Sequence, residues 1–170
     1  VIDGTGAPKF KSDIVIDKGK IIGVFPAENG DVRDPSENHF LSNFKAKHTI
    51  NAENKIISPG FIDVHTHDDD NVFLDPSMSS KISQGVTTCV AGNCGISLAP
   101  FSYKGEVPAP IALLGKSEVF RFPRVSDYKE EFNNKPSSVN LALLTGHSML
   151  RVEAMNGNLT DQQHQKKSLK

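Results

Sequence analysis

Residues 1–57 alternate short apolar runs with polar turns. Strand patterns cover Ser12–Ile16 and Ile21–Val24, on either side of an Asp-Lys-Gly-Lys turn at 17–20, and this arrangement is typical of a β-hairpin. The polar stretch at 26–47 has no sustained period and indicates a long loop. We therefore predict a small β-domain over about residues 1–57. Its remaining strand candidates are at Val1–Ile2, 48–52 and 55–58.

From residue 58 onward the pattern changes to strands that alternate with helical segments, as in βαβ units with a parallel sheet. We therefore predict an α/β fold for residues 58–170. The predicted strands are Phe61–His65, Val86–Ala91, Ile111–Leu114 and Val139–Leu144. The predicted helices run from Asp75 to Ser83 with Asp75 as N-cap, from Ser126 to Phe132, and onward from Thr160.

The length limits how much of such a fold the chain can form. A closed barrel of eight βα units needs about 250 residues, or roughly 31 per unit, so residues 60–170 suffice for about three and a half units. We therefore expect either a fragment of a longer protein or a sheet completed by another polypeptide. The first residue is Val1 rather than Met, which favours a fragment.

Composition and charge narrow the classes of partner. The chain is 37% hydrophobic and 23% charged, with a formal net charge of -1. Nucleic acids and anionic membranes require clustered Lys and Arg, so we predict neither as the main ligand. No apolar run approaches the roughly 18 residues that span a bilayer, and no signal peptide begins the chain. These features predict a cytoplasmic globular protein.

Two histidines at the end of the first barrel-like strand are candidate metal ligands. Successive side chains of a strand alternate between its faces, so His65 and His67 should point to the same side. The acidic run at 68–70 follows them, which indicates the C-terminal end of the strand, where barrel enzymes have their active sites. The alternative is a pair of solvated surface histidines.

The two cysteines have different surroundings. Cys94 follows the second strand within a Gly-Asn-Cys-Gly segment at 92–95, where it could provide a thiolate ligand for zinc. The alternative is a small buried side chain, which spacing alone favours. Cys89 lies inside an apolar strand and is predicted to pack in the core.

Four segments together resemble the N-acyl-D-amino-acid deacylases (D-aminoacylases) of the amidohydrolase superfamily. The His-x-His segment alone indicates only the superfamily, whereas Gly-Asn-Cys-Gly is more specific to the deacylase branch. The resemblance extends over most of residues 1–155. The four segments are Asp-Gly-Thr-Gly-Ala-Pro at 3–8, Pro-Gly-Phe-Ile-Asp-Val-His-Thr-His-Asp-Asp at 59–69, Lys-Ile-Ser-Gln-Gly-Val-Thr-Thr at 81–88, and Gly-Asn-Cys-Gly at 92–95.

The resemblance implies a metal-bearing (β/α)8 barrel, of which this chain would contain the first three or so units, beside part of a small β-sandwich. It implies that His65 and His67 hold one metal position and that Cys94 binds the tightly held zinc. The family's two later histidines and its general-base aspartate have no counterpart before Lys170. The implied reaction is hydrolysis of an N-acyl-D-amino acid to a carboxylate and a D-amino acid by a zinc-bound water. The missing part of the barrel is expected from C-terminal sequence, so this chain alone should be inactive.

The segment after the third strand also looks like that family, and alternatives to the deacylase assignment stay open. His147 and Arg151 could contact the metal ligands or face the substrate, or could make ordinary surface contacts. A related hydrolase of cyclic amides, such as a dihydroorotase or hydantoinase, usually carries a modified lysine between two metals. A non-catalytic metal-binding fragment is the alternative from another class.

Overall fold

The structure, a computed structural model, describes residues 1–26, 45–109 and 111–155. These residues fall into two compact units, one that ends at Pro59 and one that begins at Gly60. Most of the predicted polar loop at 26–47 and the predicted helix from Thr160 lie outside the described residues. Within the described ranges, no helix has the length and apolar character to cross a membrane.

The first unit contains the predicted hairpin. Strand β1 (Ser12–Asp17) pairs antiparallel with β2 (Lys20–Pro26). Lys18 and Gly19 make the turn with φ angles of 49° and 75°. Positive φ at both central residues is what a two-residue hairpin loop requires, because it matches the twist of the two strands. The hairpin prediction is confirmed.

The other strand predictions in this unit are wrong, because the segments form turns and irregular chain. The segments 48–52 and 55–58 are irregular, and the turn at 53–54 joins them, with Lys55 donating its backbone N–H to the Ala52 carbonyl at 3.0 Å. The Val1–Ile2 segment makes a backbone bond from Ile2 to the Ile57 carbonyl at 2.9 Å but no regular ladder. Short apolar runs predict strands only where a neighbouring strand can satisfy their backbone groups.

The second unit is built on a three-stranded parallel sheet in which the order of the strands follows the chain. These strands are β3 (Phe61–Thr66), β4 (Val86–Ala91) and β7 (Asn140–Leu143), and they confirm three predicted strands. A short antiparallel pair, β5 (Phe101–Ser102) and β6 (Arg121–Phe122), lies in the connection between β4 and β7. The helices are α1 (Asn71–Leu74), α2 (Ser79–Ile82), α3 (Val125–Asn134) and α4 (His147–Ala154).

The predicted helix from Asp75 to Ser83 is wrong in its first half. Asp75 accepts a hydrogen bond from the backbone N–H of Ser77 at 3.2 Å, as an N-cap would. The helix does not continue, because Met78 adopts a left-handed conformation with φ 47° and its side chain is fully buried. The helix therefore begins only at Ser79, after the left-handed Met78.

The other helical regions differ from the sequence predictions in type or extent. The predicted strand at Ile111–Leu114 is wrong: Pro108 accepts backbone bonds from Ile111 and Ala112, and a 3-10 helix covers Ala112–Leu114. The helix predicted from Ser126 is confirmed as α3, although the group that caps its first turn is the carboxylate of Asp127, which accepts the N–H of Arg124. Helix α4 was not predicted.

An aromatic core packs together the segments of the second unit. Phe73 makes ring contacts with both Phe122 and Tyr128, at centroid distances of 5.9 and 5.2 Å, and Phe101 packs edge-on against Phe120. The Tyr128 hydroxyl donates to the Asp69 carbonyl at 2.6 Å. The core is thereby bonded to the segment that follows β3.

Candidate metal centre

The metal cluster consists of His65, His67 and Cys94. One donor atom of each lies within 4.8 Å of the donor atoms of the other two, and all three residues are exposed. Cys94 Sγ is 3.8 Å from His67 Nδ1, and the two imidazole rings are 5.6 Å apart between centroids. Among the residues the structure describes, no other three His, Cys, Asp or Glu side chains meet in this way.

Strand ends bring the cluster together. His65 is the second-to-last residue of β3, and His67 directly follows that strand. Cys94 comes three residues after the end of β4. Because β3 and β4 are parallel neighbours, their C-terminal ends meet at the same edge of the sheet. The cluster therefore lies where parallel sheets with crossover helices carry ligands.

Glycine is required at the start of the loop that carries Cys94. Gly92 has a φ of 84°, and a Cβ there would come 2.1 Å from the Leu144 carbonyl oxygen. A side chain at this position would therefore be strained twice, by the backbone conformation and by the contact. The close backbone approach joins the Cys94 loop to the end of β7, where Leu144 also donates its N–H to the Ala91 carbonyl at 2.9 Å.

Polar bonds fix the rest of this loop. The Asn93 side-chain amide donates to the Val64 carbonyl at 2.9 Å, which ties the loop to β3 one residue before His65. On its other side, Gly95 accepts the backbone N–H of Ser148 at 2.9 Å. The neighbours of Cys94 thus set its position, because they contact β3 on one side and the chain that follows β7 on the other.

Asp69 is a buried carboxylate two residues after His67. Its side chain is fully buried, Oδ2 accepts the Leu98 N–H at 3.3 Å, and Oδ1 has no hydrogen-bond partner among the described residues. Burial raises the pKa of Asp69 to about 6. Sequence analysis assigned no role to Asp69, because a run of three aspartates gives no local sign that its middle member is buried.

His147 and Arg151 do not belong to the metal cluster. His147 is the first residue of α4 and is exposed, and Arg151 lies half-buried near the end of the same helix. Their suggested contacts with ligands or substrate stay predictions. Asn93 also supports the site, although the sequence analysis assigned no role to this member of the Gly-Asn-Cys-Gly segment.

Comparisons with known proteins agree with the resemblance seen in the motifs. The chain is 39% identical over 156 residues to the N-acyl-D-aspartate deacylase of Alcaligenes xylosoxydans xylosoxydans, and 39% identical to the D-aminoacylase of the same organism. These matches cover 92% and 91% of this chain but only 28% and 29% of the relatives. The chain therefore spans less than a third of the length of these relatives.

Solved structures give the same result. A D-aminoacylase with a binuclear metal centre superimposes with a TM-score of 0.76 at 43% identity, covering 90% of this chain and 29% of that one. The N-acyl-D-glutamate deacylase of Bordetella bronchiseptica, in complex with zinc and a phosphonate inhibitor, gives a TM-score of 0.76 at 36% identity. That match covers 98% of this chain and 32% of the other.

The second unit thus has an α/β architecture shared with D-aminoacylases, and its strand ends assemble the two histidines and the cysteine that the motifs contain. The family model for amidohydrolases matches residues 48–168, which is most of the chain. This chain belongs to the amidohydrolase family.

Proposed function

We propose that the whole protein carrying this chain is a zinc-dependent N-acyl-D-amino-acid deacylase, and that His65, His67 and Cys94 are ligands of its zinc centre. The observation that carries the proposal is the convergence of these three donors from two neighbouring strand ends. The relatives named for deacylation of N-acyl-D-aspartate and N-acyl-D-glutamate support the substrate class. Relatives with different substrates are about equally similar, so the side-chain preference is a matter for measurement.

The three side chains fit zinc by their chemistry, and one pair of donor atoms lies near the spacing that zinc requires. Tetrahedral zinc with bonds of about 2.0 Å to nitrogen and 2.3 Å to sulfur separates its donors by about 3.3–3.6 Å. The 3.8 Å between Cys94 Sγ and His67 Nδ1 is close to that range. A thiolate beside two imidazoles favours zinc over magnesium or calcium, which prefer oxygen ligands.

Each residue of the cluster has a definite part in the proposed reaction. His65 and His67 donate neutral imidazole nitrogens, and Cys94 donates a thiolate whose negative charge offsets part of the charge of a dication. A zinc ion bound there supplies an acidified water and polarises the carbonyl of the scissile amide. Asn93 and Gly92 keep Cys94 in reach of the histidines. The general base is expected from an aspartate outside residues 1–170.

The fold proposal follows from the same elements. We propose that β3, β4 and β7 are the first three strands of a (β/α)8 barrel, with residues 1–57 contributing to a small β-sandwich. The sheet order follows the chain order, and the metal cluster lies at the C-terminal strand ends, as in barrel enzymes. Phe61, Ile62 and Val64 on β3 are each about 60% exposed, which suits a strand whose faces are covered by further parts of a barrel in the whole protein.

The presence of Cys94 among the candidate ligands favours a deacylase over the cyclic-amide hydrolases. Those relatives usually place a modified lysine between their metals, whereas the three donors here are two imidazoles and a thiol. A non-catalytic metal-binding role for residues 1–170 alone is compatible with an active whole protein. We expect this chain alone to bind zinc weakly and to hydrolyse nothing.

The test is hydrolysis by the whole protein loaded with zinc. N-acetyl derivatives of D-aspartate, D-glutamate, D-leucine and D-methionine are offered beside their L enantiomers and beside dihydroorotate and hydantoin. We expect hydrolysis of at least one D substrate, no hydrolysis of the L enantiomer, loss of activity on chelation and recovery with zinc. Faster hydrolysis of a cyclic amide than of every D substrate would contradict the proposal.

A further inference from the structure

Lys81 on α2 contacts three oxygen groups that flank the histidine pair. Its Nζ lies 2.7 Å from Asp63 Oδ2, 2.9 Å from Asp68 Oδ2 and 3.3 Å from Thr66 Oγ1. The Thr66 hydroxyl donates in turn to Asp68. The Lys81 ammonium therefore contacts side chains at three places along the chain: before His65, between the two histidines, and after His67. We call Lys81, Asp63, Thr66 and Asp68 the lysine cluster.

Strand β3 is irregular in the stretch that the lysine cluster brackets. From Asp63 to Thr66 the strand advances three residues, while its partner β4 advances only two, from Cys89 to Ala91. In a regular strand, side chains three positions apart point to opposite faces. Asp63 and Thr66 nevertheless both reach the same ammonium, so the extra residue turns them to one side. His65 lies inside this irregular stretch, and such bulges redirect side chains beside functional sites.

The ionic contacts of the lysine cluster are partly shielded from solvent. The side chains of Lys81 and Asp68 are 20% and 16% exposed, and that of Asp63 is 30% exposed. Burial opposes the charge of Lys81, but its hydrogen bonds to Asp63 and Asp68 outweigh burial and raise its pKa. The hydrogen bond from Lys81 is also the largest cause of the lowered pKa of Asp63. Without the ammonium, two partly buried carboxylates would be left near each other without a counter-charge.

We infer that Lys81 is a positioning residue for the metal cluster: by binding Asp63, Thr66 and Asp68, it holds the irregular end of β3 in the form that directs His65 and His67 toward Cys94. The inference rests on the proposed function, because it assigns to Lys81 the shape of the proposed zinc site. Lys81 itself is not one of the three candidate ligands. It acts through the backbone on which two ligands lie.

The first experiment measures zinc affinity in the whole protein by competition with a chromophoric chelator. Lys81→Met keeps most of the side-chain length and removes the charge, and we expect affinity to fall about 10–100-fold, the range for residues that orient metal ligands. Arg121→Met is the matched control, because Arg121 also binds two carboxylates, of Asp70 and Glu131, but brackets neither histidine. We expect less than a threefold change for Arg121→Met and partial recovery in Lys81→Arg.

A second readout needs no metal. Amide hydrogen exchange of peptides covering residues 61–68 should accelerate in metal-free Lys81→Met and stay unchanged in Arg121→Met, because only the former releases the end of β3 and the Asp70 partner of Arg121 lies outside this window. In an Asp63→Asn, Asp68→Asn background, Lys81→Met should add less than a threefold further loss of zinc affinity.

The outcomes separate the two proposals. If the unmodified protein binds zinc through Cys94 and Lys81→Met binds it equally well, the role of Lys81 is wrong and the proposed function stands. Equal loss of affinity in Lys81→Met and Arg121→Met would also overturn the role of Lys81, because it would show general destabilisation. Failure of the unmodified protein to bind zinc would overturn both proposals.

Discussion

The metal cluster and the aromatic core of the second unit differ in what fixes their side chains. The core residues Phe101 and Phe120 are 1% and 2% exposed and are held by packing against other rings. His65, His67 and Cys94 are exposed, and their positions depend on backbone bonds and glycine conformations in the loops that carry them. Stability and metal affinity should therefore respond to different substitutions in the same small unit.

The largest expected effect is on stability, from a substitution in the core. Phe120→Ala removes a buried ring that packs against Phe101, and we expect the free energy of unfolding to fall by about 3–5 kcal/mol. Zinc affinity of the folded protein should change less than threefold. Denaturant unfolding and chelator competition measure the two quantities, and a large loss of zinc affinity in still-folded Phe120→Ala would remove the distinction between the regions.

The second-largest expected effect is a loss of zinc affinity with little change in stability. Cys94→Ala should weaken zinc binding by about 100-fold or more, beyond the range for residues that only orient ligands. Because Cys94 is exposed, the stability of the metal-free protein should change by less than about 0.5 kcal/mol. Cys89→Ala is the control, since Cys89 is buried and should leave zinc affinity unchanged. Equal zinc affinities of the two alanine variants would remove Cys94 from the site.

A smaller effect is expected from the residue that ties the Cys94 loop to β3. Asn93→Ala removes the bond from its amide to the Val64 carbonyl, and a net hydrogen bond is worth about 1 kcal/mol. We expect zinc affinity to fall about fivefold with little change in the unfolding free energy. Calorimetric titration with zinc checks this, and an unaltered affinity would mean that Gly92 and the β7 contact alone hold the loop.

The smallest expected effect is a difference in labelling rate between the two thiols, which needs no substitution. Cys89 is buried and its pKa is raised, chiefly by that burial, so at neutral pH it is protonated and inaccessible. In native metal-free protein a thiol reagent should therefore label Cys94 quickly and Cys89 only on unfolding, and zinc should protect Cys94. Mass spectrometry of the labelled peptides identifies the site. Rapid labelling of Cys89 would show that the core opens readily.

The sequence predicted the parts of the fold that local patterns control. Apolar runs bounded by turns predicted β3, β4 and β7, and the same patterns distinguished the setting of Cys89 from that of Cys94. Helix α4 had a usable signal in the three-residue spacing of its buried Met149 and Val152. Its start has no side-chain capping signal, because the N-cap residue is Gly146.

Other features depend on contacts between distant segments, which no local pattern reveals. Met78 leaves the helical conformation because its side chain is buried in the core. Asp69 is buried against Leu98, 29 positions away. The contacts of Lys81 with Asp63 and Thr66 require the register shift in β3, which exists only in the paired sheet. The candidate ligands could therefore be found from sequence, whereas the residues that hold them in position required the structure.

The most direct test of the central claim is X-ray absorption at the zinc edge of the zinc-loaded whole protein, compared with Cys94→Ala and Cys89→Ala. If His65, His67 and Cys94 bind zinc, the spectrum contains a sulfur neighbour at about 2.3 Å together with nitrogen neighbours at about 2.0 Å. The sulfur signal disappears in Cys94→Ala and persists in Cys89→Ala. Absence of sulfur in the unmodified protein, or its persistence in Cys94→Ala, would contradict the proposed metal site.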